Sequence, residues 1–229
     1  MIASTDQDDL YRQPLDQVSD FQFDQRVVRV FPDMIRRSVP GYELVLELLG
    51  LAARQFCQPA SNIYDLGCSL GAATLAMRRN IQHADCRIIA VDNSTDMAQR
   101  CREQIQRDNS IVEVDVIAAN VLDIDISNAS LVVLNFTLQF IAPEQRMALL
   151  EKIHAGMLPG GVLLIAEKLS FADEQTQKVL EQWHQSFKRS QGYSDLEIAQ
   201  KRQALENVMQ PDTLETHQRR LQQAGFEHV

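Results

Sequence analysis

The stretch from Ile63 to Gly71, IYDLGCSLG, has the pattern on which the fold prediction depends. Its first four residues have the length and apolar character of a buried strand. Glycines then occupy positions 67 and 71, and a helical pattern begins at Ala72. Glycine allows the backbone to turn sharply and to approach a ligand closely. The stretch therefore predicts a strand, a glycine-rich turn and a helix in succession.

The alternation of strands and helices continues on the C-terminal side of this turn. Four further strands are predicted, at 87–92, 113–118, 131–135 and 162–166. One intervening helix is capped by Ser94 and ends near Arg107, and another runs over 144–157. The strands are largely apolar, as they are in parallel sheets that are covered on both faces. The pattern predicts an α/β fold, a doubly wound, mostly parallel sheet with helices on both faces.

The N-terminal side of the chain is predicted to be helical after a polar start. Residues 1–20 lack periodicity and are expected to form a loosely held polar arm. Helical spacing over 21–37 indicates one or two short helices, broken near Pro32, with Asp20 as a possible cap. A further amphipathic helix is predicted over 42–56. Its apolar face is expected to contain Leu44, Val45, Leu48, Leu49 and Ala52.

The C-terminal side loses the alternation after the fifth strand. Two successive helices, within about 172–208, are predicted to form a helical insert. A third helix is expected over 211–224, with Gly225 just beyond its end. Because a helix that ends in Gly-Phe-Glu commonly leads into another strand, we expect the final strands of the sheet to be missing. A single α/β domain over 21–229 follows.

Composition excludes several classes of protein. The 229 residues include 22 Lys and Arg against 31 Asp and Glu, a net charge of −9, and 45% are hydrophobic. The apolar content is too high for a disordered chain, and no apolar run approaches the roughly 20 residues of a membrane span. The acidic balance argues against direct binding of nucleic acid through charge. We therefore expect no membrane association and no direct nucleic-acid binding.

The cysteines and histidines show no spacing that is typical of a metal site. The cysteines are Cys57, Cys68, Cys86 and Cys101. None forms a CxxC pair, and the five histidines form no metal-ligand pattern. The polar N-terminus has no secretory signal pattern. We therefore expect no metal and a cytoplasmic location, in which thiols stay reduced.

Two signals together indicate a site for an adenosine-containing cofactor. The first is the glycine-rich turn of residues 67–71, which by itself could be an ordinary connection between a strand and a helix. The second is Asp92, at the end of the second strand, where a carboxylate accepts hydrogen bonds from both ribose hydroxyls. Its alternative role is to cap the next helix together with Asn93 and Ser94.

The same order of motifs resembles the class I S-adenosylmethionine (SAM) dependent methyltransferases, including Leu158-Pro159-Gly160-Gly161 before the fifth strand. In that family the turns that follow the first four strands bind the cofactor. The resemblance assigns Gly67, Cys68 and Ser69 to its methionine and ribose part, Asp92 to the ribose, Asn93, Asn120 and Val121 to the adenine, and Asn135 to the catalytic end of strand four. Position 120 departs from the family, which commonly has an acid there, but an Asn oxygen can accept the same hydrogen bond.

Four longer stretches resemble a narrower family, the carboxy-S-adenosyl-L-methionine (carboxy-SAM) synthases, and the resemblance extends over 21–229. They are RVFPDMIRRSVPGY at 29–42, YDLGCSLGAAT at 64–74, VVLNFTLQF at 132–140, and QKR at 200–202 with LENVM at 205–209. The resemblance implies an enzyme that converts SAM and prephenate into carboxy-SAM and phenylpyruvate. A separate tRNA carboxymethyltransferase would then use the product to modify the wobble uridine.

The narrower resemblance also implies two residues for the acid group of the product. It assigns Arg202 to that carboxylate, reaching across the interface of a homodimer, and Tyr42 to a hydroxyl donor. A guanidinium suits the task because its planar fork binds carboxylates bidentately. The alternative for Arg202 is a solvated helix charge paired with Glu197 or Glu206. The alternative for Tyr42 is an aromatic ring packed at an interface.

Two other functions remain open at this level. A conventional SAM-dependent methyltransferase acting on a small molecule or tRNA would have the same fold, because fold does not determine function. A protein that binds and presents the cofactor without catalysis would also share the site. A nicotinamide cofactor is disfavoured, because residues 67–71 lack the dinucleotide glycine spacing.

Overall fold

The computed structural model of the chain describes residues 6–229. The strands are β1 (Asn62–Leu66), β2 (Arg87–Asp92), β3 (Glu113–Ala118), β4 (Ala129–Asn135) and β5 (Met157–Ala166). The α-helices are α1 (Gln25–Ser38), α2 (Tyr42–Phe56), α3 (Ala72–Arg78), α4 (Thr95–Gln106), α5 (Pro143–Gly156), α6 (Glu174–Ser190), α7 (Asp195–Leu205) and α8 (Leu214–Gln223).

All five strands pair in parallel in the order β3-β2-β1-β4-β5. The chain therefore starts in the middle of the sheet, winds outward to β3, and then crosses to the other half through β4 and β5. The carboxyl ends of β1 and β4 lie side by side at the point where the winding direction changes. Ligands of open α/β sheets bind at this position. The predicted fold class is confirmed.

Helices cover both faces of the sheet because successive side chains of a strand point to opposite faces. Ile63 packs with buried residues of α2 and α3, such as Leu49 and Met77. Its neighbour Tyr64 packs instead with α5, which contributes Leu149 among others. The central strand is therefore covered on both sides, as its apolar sequence predicted.

The N-terminal helices differ from the prediction in two respects. The helix α1 is continuous through Pro32, and its cap is Asp24, which accepts hydrogen bonds from two backbone N–H groups, rather than Asp20. The helix α2 buries Leu49, Gly50 and Ala53. Of the predicted face, Leu49 is buried and Val45 packs against the core. The helix also packs through Gly50, where an added Cβ would lie 3.0 Å from the Ala76 carbonyl oxygen of α3. Two leucines of the predicted face, Leu44 and Leu48, are 58% and 54% exposed.

The N-terminal stretch is bonded to the helical insert. Residues 1–5 of the predicted arm lie outside the described residues. Asp8 is 2% exposed and accepts a hydrogen bond from the Tyr193 hydroxyl, and its backbone N–H donates to Asp33. The side chain of Gln200, on α7, bonds the backbone of residues 11, 13 and 15. These contacts contradict a loose attachment, while the domain boundary at residue 20 stays a prediction.

The C-terminal part contains the predicted helices. The insert consists of α6 and α7, capped by Asp173 and Ser194. Gly225 has a φ of +107° just after α8, as expected of the residue that ends a helix. Among residues 6–229 no strand follows α8, and the expectation of missing final strands stays a prediction. Within the same residues, no helix is long and apolar enough to span a membrane.

Candidate functional site

A cavity of about 2660 Å³ opens at the carboxyl edge of the sheet, between the sheet, α1, α2 and the helical insert. Every residue that the sequence assigned to the site lines it. They are Tyr42, Gly67, Cys68, Ser69, Asp92, Asn93, Asn120, Val121, Asn135 and Arg202. Residues far apart in the chain meet here because parallel strands present their carboxyl ends at one edge. Their individual roles stay predictions.

The turn after β1 is held by β2 and leaves no room for a side chain. The backbone N–H groups of Gly67 and Cys68 both donate to the Val91 carbonyl, at 2.8 and 2.9 Å. Gly67 has a φ of +87°, and a Cβ built on it would lie 2.2 Å from Oγ1 of Thr137. Glycine at 67 therefore lets the turns after β1 and β4 approach each other, and it keeps the cavity floor open.

The carboxylate of Asp92 links the turn after β1 to the turn after β2. Its Oδ2 accepts from the backbone N–H of Ser69 at 2.8 Å, and its Oδ1 accepts from that of Ser94 at 2.9 Å. Burial raises its pKa, while the two N–H donors act in the opposite direction. The helix cap itself is Ser94, which accepts from the Met97 N–H. Each carboxylate oxygen keeps a free lone pair, so Asp92 can still accept from a diol.

The loop after β3 forms the neighbouring wall. Asn120 is exposed, and its side-chain oxygen accepts from the Leu122 N–H at 3.0 Å. Val121 is 7% exposed, and Asn93 is exposed on the adjacent loop. The Asn120 oxygen that was predicted to accept from an adenine amino group therefore already has one donor. Its second lone pair and its amide N–H groups remain available.

Asn135 lines the cavity, and its side chain has an oxygen without a hydrogen-bond donor. Its Oδ1 is buried and has no hydrogen-bond partner among the described residues. A buried carbonyl oxygen without a donor costs about 1–3 kcal/mol, so such atoms are normally satisfied. The ammonium group of an amino-acid moiety would satisfy it. SAM fits three features of this site. They are the Asn135 oxygen without a donor, the open backbone at Gly67 and the Asp92 carboxylate.

Tyr42 lies at the start of α2 and packs beside Phe136, with ring centroids 6.4 Å apart. Phe136 follows β4 with a φ of +57°, a conformation that L side chains rarely adopt. Burial raises the pKa of Tyr42, and the charge of Asp65 raises it further, so its hydroxyl stays protonated and can donate. The loop after β4 and the Pro-Gly-Tyr turn thus meet at the cavity.

Arg202 lies on α7 at the rim of the cavity. Its side chain is 65% exposed, and its Nη2 lies 3.2 Å from Oε2 of Glu181, on α6. Neither Glu197 nor Glu206, the partners considered from the sequence, pairs with it. Glu181 was missed because its proximity depends on how α6 and α7 pack, and no spacing in the sequence encodes that distance. An exposed ion pair of this kind contributes about 0–1 kcal/mol, so the guanidinium can exchange Glu181 for a ligand.

Glu167, at the end of β5, is a site residue that the sequence analysis missed. Its Oε1 accepts from the backbone N–H groups of Thr137 and Leu138, at 3.0 and 2.7 Å, and its Oε2 accepts from that of Gln139 at 3.2 Å. Burial raises its pKa to about 7, although the three donors act in the opposite direction. One carboxylate therefore shapes the loop that carries Asn135 and Phe136 into the cavity.

Replacing Glu167 by glutamine should loosen this loop. The amide NH2 would face a backbone N–H that needs an acceptor, at a cost of about 1–2 kcal/mol. We expect a lower free energy of unfolding and weaker SAM binding, measured by urea denaturation and calorimetry. Glu151→Gln is the matched control, because Glu151 is exposed and makes no hydrogen bond or ion pair within residues 6–229. Equal behaviour of the two variants would remove the role of Glu167.

Asp65, just before the glycine-rich turn, is a buried carboxyl with one unsatisfied oxygen. Thr74 donates to its Oδ2 at 2.5 Å, and its Oδ1 has no partner among the described residues. Burial raises its pKa from 3.8 to about 6, while the Thr74 hydrogen bond lowers it. The folded state thus favours the protonated form more than the unfolded chain does.

The pH dependence of stability should report this carboxyl. Because the folded pKa is raised, the contribution of Asp65 is most favourable below about pH 4, and it is lost as the pH rises to about 6. Asp65→Asn removes the titration. Across this pH range, we expect wild type to lose stability relative to Asp65→Asn in urea denaturation. The exposed Asp125→Asn is the control and should keep the wild-type slope; a parallel profile for Asp65→Asn would contradict the argument.

The cysteine side chains lie in the interior of the fold. All four cysteines are free and buried. Burial raises the pKa of Cys57 to about 12, with a smaller contribution from the neighbouring Cys86. Within the described part of the chain, no group of three or more His, Cys, Asp or Glu side chains is placed to hold a metal ion.

Comparison with known proteins gives close relatives along nearly the whole chain. A family described as a methyltransferase domain matches residues 63–161. A carboxy-S-adenosyl-L-methionine synthase of Shewanella putrefaciens is 57% identical over 225 residues, which are 98% of this chain and 93% of the relative. The protein of the same name from Photobacterium profundum is 56% identical over 96% of this chain and 90% of its own length.

Solved structures of more distant proteins share the fold. The cyclopropane synthase MmaA2 of Mycobacterium tuberculosis superposes with a TM-score of 0.59 at 17% identity, covering 96% of this chain and 70% of that one. The mycolic acid cyclopropane synthase CmaA1 superposes with a TM-score of 0.60 at 15% identity, covering 83% and 64%. These structures support the class I fold and carry no further argument about the reaction.

Proposed function

The chain belongs to the carboxy-S-adenosyl-L-methionine synthase family, and from this premise we propose that it makes carboxy-SAM from SAM and prephenate, releasing phenylpyruvate. The observation that supports the proposal is that one cavity is lined by Asn135, Asp92 and Arg202. The first two suit the amino group and ribose of SAM. The third is a guanidinium with a weak, exchangeable partner, suited to the new carboxylate.

The proposed reaction balances without a further reactant. The carboxylate that prephenate loses as carbon dioxide becomes the carboxyl group on the methyl carbon of SAM. A proton from that methyl group and the ring hydroxyl of prephenate leave together as water, and the ring becomes aromatic in phenylpyruvate. The protein residues then have two tasks, which are to hold both substrates together away from water and to pair the carboxylates.

The test is incubation of the purified full chain with SAM and prephenate, followed by mass analysis of the nucleoside. We expect phenylpyruvate and a nucleoside heavier than SAM by one carbon dioxide. Formation of neither rejects the proposal. The mass of any nucleoside that copurifies with the protein provides a second, independent readout.

A conventional SAM-dependent methyltransferase is the second candidate, favoured by the match of residues 63–161 to a methyltransferase domain. It would convert SAM to S-adenosylhomocysteine and methylate a small molecule or tRNA. The net charge of −9 argues against tRNA as a direct substrate. Methyl transfer to an acceptor, with no response to prephenate, would favour this candidate.

We also propose a homodimer in the cytoplasm, whose product serves a separate tRNA carboxymethyltransferase that modifies the wobble uridine. Leu44, Leu48 and Leu51 form an apolar stripe along α2 and are 58%, 54% and 57% exposed. Burial of such a stripe against a second copy would be favourable. Sedimentation of the full chain measures the oligomeric state, and a monomer at micromolar concentration would reject the dimer.

A further inference from the structure

Four cationic side chains line the wall of the cavity that the end of β5, α6 and α7 form. They are Lys168, Lys188, Lys201 and Arg202. The chain as a whole is acidic, with a net charge of −9. Like charges placed together repel one another, so this wall is electrostatically unfavourable unless anions neutralise it.

Two of the four cations already have partners. The ammonium of Lys201 donates to the Ser38 hydroxyl at 3.0 Å and lies 3.6 Å from the Asp8 carboxylate. Arg202 pairs with Glu181. Lys201 thus joins α7 to the N-terminal stretch and to α1.

The other two cations form no direct ion pair, although the charge of Glu181 acts on Lys168 from a distance. The ammonium groups of Lys168 and Lys188 make no hydrogen bond or ion pair with any described residue, and both side chains are half-buried. Burial lowers the pKa of Lys188 to about 8, and the charges of Lys168 and Arg202 lower it further. Burial likewise lowers the pKa of Lys168, while the charge of Glu181 acts in the opposite direction. Half-buried ammonium groups without acceptors cost free energy, which a bound anion would recover.

Aromatic side chains lie next to the two lysines along the chain. Trp183 and Phe187 on α6 and Phe171 after β5 also line the cavity. Trp183 is 71% exposed, although large aromatic side chains are usually covered. An apolar ring bound between these side chains would bury them. The wall therefore combines two unpaired cations with surfaces for a ring.

We propose that Lys168 and Lys188 bind the two carboxylates of the second substrate, a ring-bearing dicarboxylate, with Trp183 covering the ring. The inference rests on the proposed function and adds the residues that select the carboxyl donor. A dicarboxylate matches two ammonium groups in number of charges. Because Lys168 and Lys188 line the same cavity as the turns assigned to SAM, the donor and the methyl group would share one cavity.

The experiment uses the full chain with SAM present and measures prephenate affinity by calorimetry and KM by phenylpyruvate release. We expect Lys168→Gln and Lys188→Gln each to weaken prephenate binding roughly tenfold, and the double variant to weaken it further. SAM affinity should not change. Lys178→Gln is the matched control, since Lys178 is exposed on α6 and has no partner within residues 6–229. It should match wild type in both measurements.

Three further measurements distinguish the possible reasons for a negative result. The unfolding temperature of both lysine variants should equal or exceed that of wild type, because no native partner is lost; a clear decrease would indicate a structural role instead. Inorganic phosphate should compete poorly with prephenate, and effective competition would assign the wall to phosphate compounds. Wild-type turnover with unchanged prephenate affinity in both variants would overturn this inference alone. Absence of prephenate binding by wild type would overturn the proposed function as well.

Discussion

Replacing Arg146 by alanine is expected to destabilise the fold by about 3–5 kcal/mol, which is a large part of the stability of a typical domain. The Arg146 side chain is 1% exposed, and its guanidinium lies 2.5 Å from the Asp212 carboxylate. It also donates to the carbonyls of Ile141 and Gln210, each at 2.8 Å. Removing it leaves a cavity and two carbonyl groups with fewer donors, and it leaves Arg220 as the remaining cationic partner of Asp212. Urea denaturation monitored by circular dichroism would measure the loss.

The control for Arg146 is an exposed arginine, Arg219. Arg219 lies on α8, and its side chain is exposed and has no partner among the described residues. Arg219→Ala should change the free energy of unfolding by no more than about 0.5 kcal/mol. Asp212→Asn should also lower the stability, because it leaves the buried guanidinium of Arg146 without its carboxylate. A loss for Arg146→Ala no larger than that for Arg219→Ala would show that the buried network contributes little.

Replacing Arg202 by alanine should weaken retention of carboxy-SAM by about 10–100-fold, the value of a hydrogen-bonded charge pair. SAM lacks the extra carboxylate, so its affinity should be nearly unchanged. The fold should also be unaffected, because the ion pair with Glu181 is exposed and contributes little. The expectation is the same if the guanidinium serves the cavity of a second copy. Calorimetry with each nucleoside measures both affinities.

Two further variants test whether the effect of Arg202 depends on its geometry. Arg202→Lys keeps the charge but loses the planar fork, so its affinity for carboxy-SAM should lie between those of wild type and alanine. Arg189→Ala removes a comparable exposed arginine, which pairs with Asp195, and should leave both affinities unchanged. Equal losses of SAM and carboxy-SAM affinity in Arg202→Ala would reject the assignment to the carboxylate.

The sequence predicted the elements well where a local pattern encodes them. The predicted bounds of β2 and β3 agree with the structure, and Ser94 caps α4 as expected. The predicted cap of α1 was wrong, and the predicted face of α2 was right for Leu49 but wrong for Leu44 and Leu48. Both errors arise because several residues satisfy the local pattern, and packing then selects among them. In α2 the close contact at Gly50 turns Leu49 and Ala53 toward the core and leaves Leu44 and Leu48 exposed.

The amino-acid sequence by itself determined the α/β alternation and the glycine-rich turn. It also marked residues that line the cavity, most of which lie at or just after the end of a strand. It could not determine which polar groups would be buried or left without partners. Glu167 has three backbone donors because the end of β5 lies beside the loop after β4. Lys168 and Lys188, which are 20 positions apart in the chain, line one cavity. Strand and helix patterns depend on neighbours along the chain, whereas burial and electrostatic environment depend on neighbours in space, which only tertiary structure supplies.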